Sequence, residues 1–164
     1  MLPLLGFASI LQATILGRFS FAGVKPDLVL LIVLIWTLVH GGVSGVVWAF
    51  IGGIWLDIFS GGPMGASSLG LMIAALLANM GYRTLYRYNL LVPLFAVVVG
   101  TLAYSLIYLG TLHGLVLLNL APSALPFAPT MQNVVVPSTL YNATLMLCLI
   151  PWLNRLPESQ RSTE

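Results

Sequence analysis

Few residues of this sequence carry chemistry, and Asp57 is the most informative of them. It lies deep in an almost uncharged apolar stretch, at the end of a row of small residues: Gly41, Gly45, Ala49, Gly53 and then Asp57. Spacing by four positions places all five on one ridge of a helix. A glycine ridge that ends in a carboxylate is typical of close helix–helix packing inside a membrane.

Two catalytic interpretations of the polar residues fail on position and motif. Gly42-Val43-Ser44-Gly45 resembles the GxSG motif of intramembrane serine proteases, with His113 as the base. The topology that the apolar runs and basic residues predict places Ser44 near the cytoplasmic face and His113 near the outer face. The two side chains are then too far apart to share a proton. Aspartyl intramembrane proteases need GxGD, whereas this chain has Ile54-Trp55-Leu56-Asp57. No spacing indicates a metal site or a phosphate-binding loop. We therefore expect no enzyme activity, no catalytic residue, no metal and no cofactor.

The composition predicts an integral membrane protein. The 164 residues are 59% hydrophobic and 6% charged, with a mean hydropathy of +1.03. Soluble domains carry roughly 25% charged residues, so this chain could not solvate its own surface. A net charge of +2 is no signature of nucleic-acid binding. The lone Cys148 excludes an intrachain disulfide.

Charges and turn residues divide the chain into six apolar runs, which predict an all-α bundle of about six transmembrane helices. The runs are residues 2–17, 27–39, 43–59, 66–82, 91–118 and 134–153. We read the first run as a retained span rather than a signal peptide. Residues 1–155 are expected to form one bundle and residues 156–164 a short cytoplasmic tail.

The second run is short for a membrane span. Its 13 residues give about 20 Å of helix, whereas the hydrocarbon core is ~30 Å thick. Local thinning of the bilayer would accommodate a short span. A re-entrant segment is the alternative.

Basic residues predict the orientation. Arg83 and Arg87 share one short loop, and Arg155 and Arg161 flank the last run. Two spans separate these regions, so both lie on one face, which the positive-inside rule makes cytoplasmic. Both termini are then cytoplasmic. Arg83 and Arg87 are expected to meet anionic lipid at the interface, and docking of a cytoplasmic protein is the alternative.

The ridge and the four-residue spacing of Gly110 and Gly114 predict surfaces for close helix packing. Two occupants remain open for these surfaces: other helices of the same chain, or the transmembrane helix of a partner. Asp57 is expected near the outer end of its helix, where the macrodipole disfavours a carboxylate. Backbone N–H groups of the following turn, or Ser67 and Ser68, are therefore the expected donors to it. A ligand or partner contact is the alternative.

Two segments carry a resemblance to a known family. Lys25-Pro26-Asp27 precedes a Leu/Val/Ile run, and Trp55-Leu56-Asp57-Ile58-Phe59-Ser60-Gly61-Gly62-Pro63-Met64-Gly65 closes the third. Together they resemble MreD, the small polytopic rod shape-determining proteins of bacteria. Asp27, Asp57, Pro63 and Gly65 match the family pattern. With Gly62, they are expected to shape a turn or to contact a partner.

The resemblance implies a non-catalytic scaffold of the elongation complex in the bacterial cytoplasmic membrane. The implied partners are MreC, a single-span protein, and, more widely, MreB, RodA and a class B penicillin-binding protein. It also implies the six-helix fold of the substrate-binding components of ECF transporters. A homodimer within the complex stays open.

The alternative function is a vitamin-like small-molecule binder of the ECF type. Such a protein needs a polar-lined cavity near the outer face. The residues that would furnish it are Asp57, Ser67, Ser68, His113 and Asn119.

Overall fold

The regular structure is helical throughout the part of the chain that the computed structural model describes. That part comprises residues 2–14, 26–41, 43–82, 91–120 and 126–153. Its α-helices are α1 (Leu2–Thr14), α2 (Leu28–His40), α3 (Val43–Ser60), α4 (Ala66–Tyr82), α5 (Leu91–Leu117), α6 (Phe127–Thr130) and α7 (Val136–Leu153). A π-helical stretch, Met131–Val135, joins α6 to α7. Arg83, Arg87 and the expected C-terminal tail lie outside the described residues.

The lengths of these helices fit a polytopic membrane protein. Among the described residues, three stretches are long and apolar enough to cross a bilayer: Val43–Ser60, Leu91–Leu117 and Phe127–Pro151. Three further apolar helices are shorter, over Leu2–Thr14, Leu28–His40 and Ala66–Met80. The predicted fold class, an all-α polytopic membrane protein, is confirmed.

Helix α2 is enclosed by other helices of the chain. It packs against α1, α3, α4 and α5, and more than half of its 13 residues are buried. Those with no exposed surface include Val29, Leu30, Val33, Leu34 and Leu38. Much of this short helix is therefore in contact with other helices of the chain.

Helices α2 and α3 form a tight antiparallel hairpin. Thr37 lies against Gly45 at one end of the pair, and Val29 lies against Gly52 further along. A Cβ added to Gly45 would come within 2.9 Å of the Thr37 Cβ. Glycine is therefore what allows α2 and α3 to approach so closely.

The structure corrects the assignment of Gly41 to the ridge. Gly41 caps the C-terminus of α2, with φ 62°, and its N–H donates to Thr37 O at 2.8 Å. A left-handed glycine ends a helix at low cost, so the chain turns here before α3 begins. The ridge on α3 consists of the remaining four residues: Gly45, Ala49, Gly53 and Asp57.

The last long helix begins earlier than residue 134, where the sequence predicts its start. Helical structure starts at Phe127, between the fifth and sixth apolar runs of the sequence. Pro129 lies in the first turn, where a missing N–H costs no hydrogen bond. The helix then widens into the π-helical stretch just before Pro137.

Candidate functional site

The carboxylate of Asp57 holds the turn between α3 and α4. Gly65 N–H donates to Asp57 Oδ2 at 2.7 Å, and Ser67 N–H donates to Oδ1 at 3.1 Å. The carboxylate is buried, with 2% of Asp57 exposed. Both donors lie in the segment from which the sequence predicts them. Asp57 therefore caps the first turn of the next helix in the chain.

Helix electrostatics explains why a carboxylate is stable at this position. Leu69 N–H donates to Gly65 O at 3.0 Å, so Gly65 directly precedes α4 and accepts a hydrogen bond from its first turn. The first N–H groups of a helix have no partner within it, and the positive end of the macrodipole favours an anion there. The unfavourable position of Asp57 at the C-terminal end of α3 is thus offset by its favourable position at the start of α4.

Gly65 has the backbone conformation that this cap requires. Its φ is +92°, a region that residues with a Cβ rarely adopt. Ala66 N–H donates to Pro63 O at 3.2 Å, which closes the turn. A Cβ on Gly62 would lie 3.0 Å from Tyr108 Oη, so this turn packs against α5.

Gly53 allows α3 and α4 to touch through their backbones. A Cβ at this position would collide with the N and Cα of Ser68. Ser68 Oγ in turn donates to Phe50 O at 3.2 Å. Gly45 on α3 therefore packs against α2, and Gly53 packs against α4. Both contacts favour packing within the chain over packing with a partner helix.

Tyr104 connects α5 to the capped turn. Its hydroxyl lies 3.4 Å from Ser67 Oγ, to which it donates. Its ring also approaches Gly70, where a Cβ would lie 2.7 Å from Tyr104 Cδ2. Helices α3, α4 and α5 are thus joined where Asp57 lies.

A second polar cluster is centred on Asp27. This residue caps α2, because Leu30 N–H donates to Asp27 Oδ1 at 3.2 Å. Gln12 Nε2 donates to the same oxygen at 3.1 Å, and Val29 N–H donates to Gln12 Oε1 at 3.3 Å. The end of α1 is therefore bound to the start of α2 by one side-chain amide.

Asn142 extends the Asp27 cluster to α5 and α7. Asp27 N–H donates to Asn142 Oδ1 at 3.0 Å, and Asn142 Nδ2 donates to Thr101 Oγ1 at 3.3 Å. Asn142 has no exposed surface. This one side chain bridges α2 and α5 from its position on α7.

Gln12, Thr101, Tyr104 and Asn142 are site residues that the sequence analysis missed. Gln12 and Asn142 are each the single amide side chain of an apolar run, and uncompensated polar groups are costly in hydrocarbon. Intramembrane polar residues therefore face partners, and this signal could have selected Gln12 and Asn142. Which groups they bind depends on tertiary packing.

Replacing Asn142 with leucine should lower the free energy of unfolding in detergent by about 2 to 3 kcal/mol. The substitution keeps the volume similar but leaves the buried Asp27 N–H without its acceptor. Denaturant unfolding followed by circular dichroism measures the change. Thr144→Leu, at an exposed position half a turn further on α7, is the control and should cost less than about 0.5 kcal/mol. Equal stability of the two variants would refute a bridging role for Asn142.

Most of the polar residues expected to line a small-molecule cavity lie outside the groove found among the described residues. This groove, of about 560 Å³, lies between the start of α4 and the end of α5, with Met64, Leu69, Thr111 and Leu115 in its wall. Of the five residues expected to line such a cavity, only Ser68 borders it. In the described part of the chain, His, Cys, Asp and Glu are not grouped in threes, so no metal centre can be assigned there.

Ser44 and His113 lie at opposite ends of the bundle. Ser44 is in the first turn of α3 and donates to Gly41 O at 3.0 Å. His113 is near the end of α5, beyond Tyr104, which contacts the start of α4. The start of α4, and with it His113, lies at the end of the bundle where α3 ends. Ser44 lies at the start of α3, so the length of that helix separates the two side chains, as the sequence predicts.

Fold and polar clusters together define a polytopic helical membrane protein whose buried polar groups bind its own helices to one another. The chain belongs to the MreD family: the family model for rod shape-determining protein MreD matches residues 1–159. It therefore has a role in determining rod shape, within a family of structural membrane proteins. No curated protein and no solved structure matches the chain significantly.

Proposed function

We propose that this protein is a non-catalytic scaffold of the bacterial elongation complex. In this role it binds MreC and contributes to the regulation of lateral peptidoglycan synthesis. MreB, RodA and a class B penicillin-binding protein form the wider complex. The protein lies in the cytoplasmic membrane with both termini in the cytoplasm. Membership of the MreD family supports this proposal.

One observation favours a scaffold over a binder of small molecules. Each of the eight buried polar residues in the described ranges makes a hydrogen bond within this chain. These residues are Ser9, Thr37, Asp57, Ser67, Ser68, Thr101, Thr139 and Asn142. Among the buried polar side-chain atoms described there, the indole Nε1 of Trp36 alone has no partner, so few groups are left over for a substrate. The surface then offers a partner shape instead of reactive groups.

Among the glycines spaced by four residues, Gly110 and Gly114 on α5 are the best placed to meet a partner helix. A Cβ added at either position would have no atom of another part of the chain within 4 Å. Gly110 is exposed, between Leu106 (46% exposed) and Leu117 (83% exposed) on the same helix. Two glycines one turn apart let another backbone approach closely, which stabilises helix pairs in lipid. We therefore assign the MreC-facing surface to this part of α5.

Leucine at Gly110 and Gly114 should reduce capture of MreC from membranes by about tenfold or more. The added side chains hold the partner backbone away, and tenfold corresponds to about 1.4 kcal/mol of binding free energy. Co-purification of MreC with the tagged double variant, normalised to folded protein, measures the effect.

The matched control for this experiment is Thr144→Leu, which adds bulk to an exposed position of α7. Capture should stay at the wild-type level with this variant. If the folded double variant also captures MreC at the wild-type level, α5 is not the binding surface. If neither the wild type nor any variant captures MreC, the scaffold proposal itself fails.

A further inference from the structure

The chain changes helical geometry between α6 and α7. Val136 N–H donates to Met131 O, five residues back, instead of to the residue four back. A π turn therefore holds one more residue than an α turn. Pro137 follows at once, and it has no N–H for the carbonyl of Asn133. The wide turn moves that carbonyl away from the proline ring.

The two sides of this π-helical stretch are anchored very differently. On the α7 side, Thr139 and Asn142 are buried, and Asn142 is bonded to two other helices. On the other side lies a segment that we name the arm, residues 126–130. Most of its residues are exposed, including Phe127 and Ala128.

A ring contact links the arm to the bundle. Phe127, 48% exposed, meets His113 edge to face, with ring centroids 6.3 Å apart and an angle of 75° between the planes. The hydroxyl of Thr130 bonds within the arm, to Pro126 O at 2.7 Å. It does not fix the arm to the rest of the chain.

Hydroxyl groups support the π-helical stretch at its junction with α7. Ser138 Oγ donates to Val135 O at 2.9 Å, and Thr139 Oγ1 donates to the same oxygen at 2.8 Å. These bonds stay on the α7 side of the junction. Rotation of the arm would leave them intact.

We propose that the arm rotates about the π-helical stretch and that the contact between Phe127 and His113 is its latch. Conversion of the π turn to an α turn removes one residue from the turn. Every residue before it then rotates by about 100° around the helix axis. Phe127 leaves His113 in that movement, while α7 keeps its place. This inference goes beyond the scaffold function and does not depend on it.

Distances between spin labels in the purified protein test the proposal. One label is placed on the arm by Ala128→Cys and the other on α4 by Leu76→Cys, both exposed positions, in a Cys148→Ser background. The otherwise wild-type protein should show one main distance. His113→Ala should add a second, shifted population because the latch is gone. Pro137→Ala, which permits a regular α turn, should move most molecules to the shifted distance.

The matched control pair carries the first label beyond the junction, as Leu140→Cys with Leu76→Cys. Leu140 is 65% exposed and lies on α7. Its distance to α4 should be the same in the wild type, His113→Ala and Pro137→Ala. The proposal is overturned if the distances between positions 128 and 76 are unchanged in His113→Ala. It is also overturned if the control distances shift as much as those of the arm.

Discussion

Asp57→Ala should lower the free energy of unfolding in detergent by about 4 kcal/mol. The variant removes two hydrogen bonds to a charged acceptor and leaves the N–H groups of Gly65 and Ser67 without a partner in a partly buried turn. It also removes the negative charge from the start of α4. Asp57→Asn keeps one acceptor oxygen but turns an amide donor toward a backbone donor, so we expect a loss of about 2 to 3 kcal/mol.

Denaturant unfolding of the detergent-solubilised protein, followed by circular dichroism, measures both Asp57 variants. Thr144→Ala serves as the control, because the Thr144 hydroxyl is exposed and bonds only within its own helix, to Leu140 O. It should change the stability by less than about 0.5 kcal/mol. The capping interpretation is wrong if Asp57→Ala unfolds at the same denaturant concentration as Thr144→Ala.

Gly53→Ala should destabilise the protein by about 3 kcal/mol, although it adds only one methyl group. The new Cβ would collide with the backbone of Ser68, which no change of side-chain rotamer can relieve. The helices α3 and α4 must then separate, and the Ser67–Asp57 hydrogen bond beside them lengthens. Overpacking of this kind costs roughly 1 to 3 kcal/mol, and more where backbone must move.

The control for Gly53→Ala is the same substitution at Gly110. There the added Cβ meets nothing within 4 Å, and alanine favours a helix over glycine by about 1 kcal/mol. Gly110→Ala should therefore match or exceed the wild type in thermal stability. Equal melting temperatures for the two alanine variants would show that α3 and α4 do not pack through Gly53.

The sequence predicts most helices of this fold because their limits are local. Glycine pairs, charges and the SGGPMG turn mark where apolar runs stop, and α4 occupies the predicted residues 66–82. The predicted start of the last long helix was wrong, because helical structure begins before the apolar run, in a segment that contains Pro129. In a first turn, or directly after a widened π turn, a proline removes no bond that the helix needs.

The candidate site could be predicted only where donor and acceptor are close in sequence. Asp57 lies eight residues before Gly65, so a short hairpin brings them together. Spacing by four also places Gly45 and Gly53 on one face. It cannot tell which helix fills that face, and here Gly45 meets α2 while Gly53 meets α4.

The Asp27 cluster could not be predicted from the sequence because it joins residues that are far apart in the chain. Asn142 and Thr101 are 41 residues apart, and their contact follows from how α5 packs on α7. A lone amide in an apolar run shows that a partner is needed. It does not identify that partner.

The bond between Asp27 and Asn142 also has a consequence for biosynthesis, because 115 positions separate the two residues. The ribosome makes Asn142 only after α1 to α5 are complete. The backbone N–H of Asp27 therefore lacks this acceptor until α7 is made. An unpaired amide in hydrocarbon costs several kcal/mol. The bond between the start of α2 and α7 therefore forms only after α7 is made, and a chain that stops before α7 retains an Asp27 N–H without this acceptor.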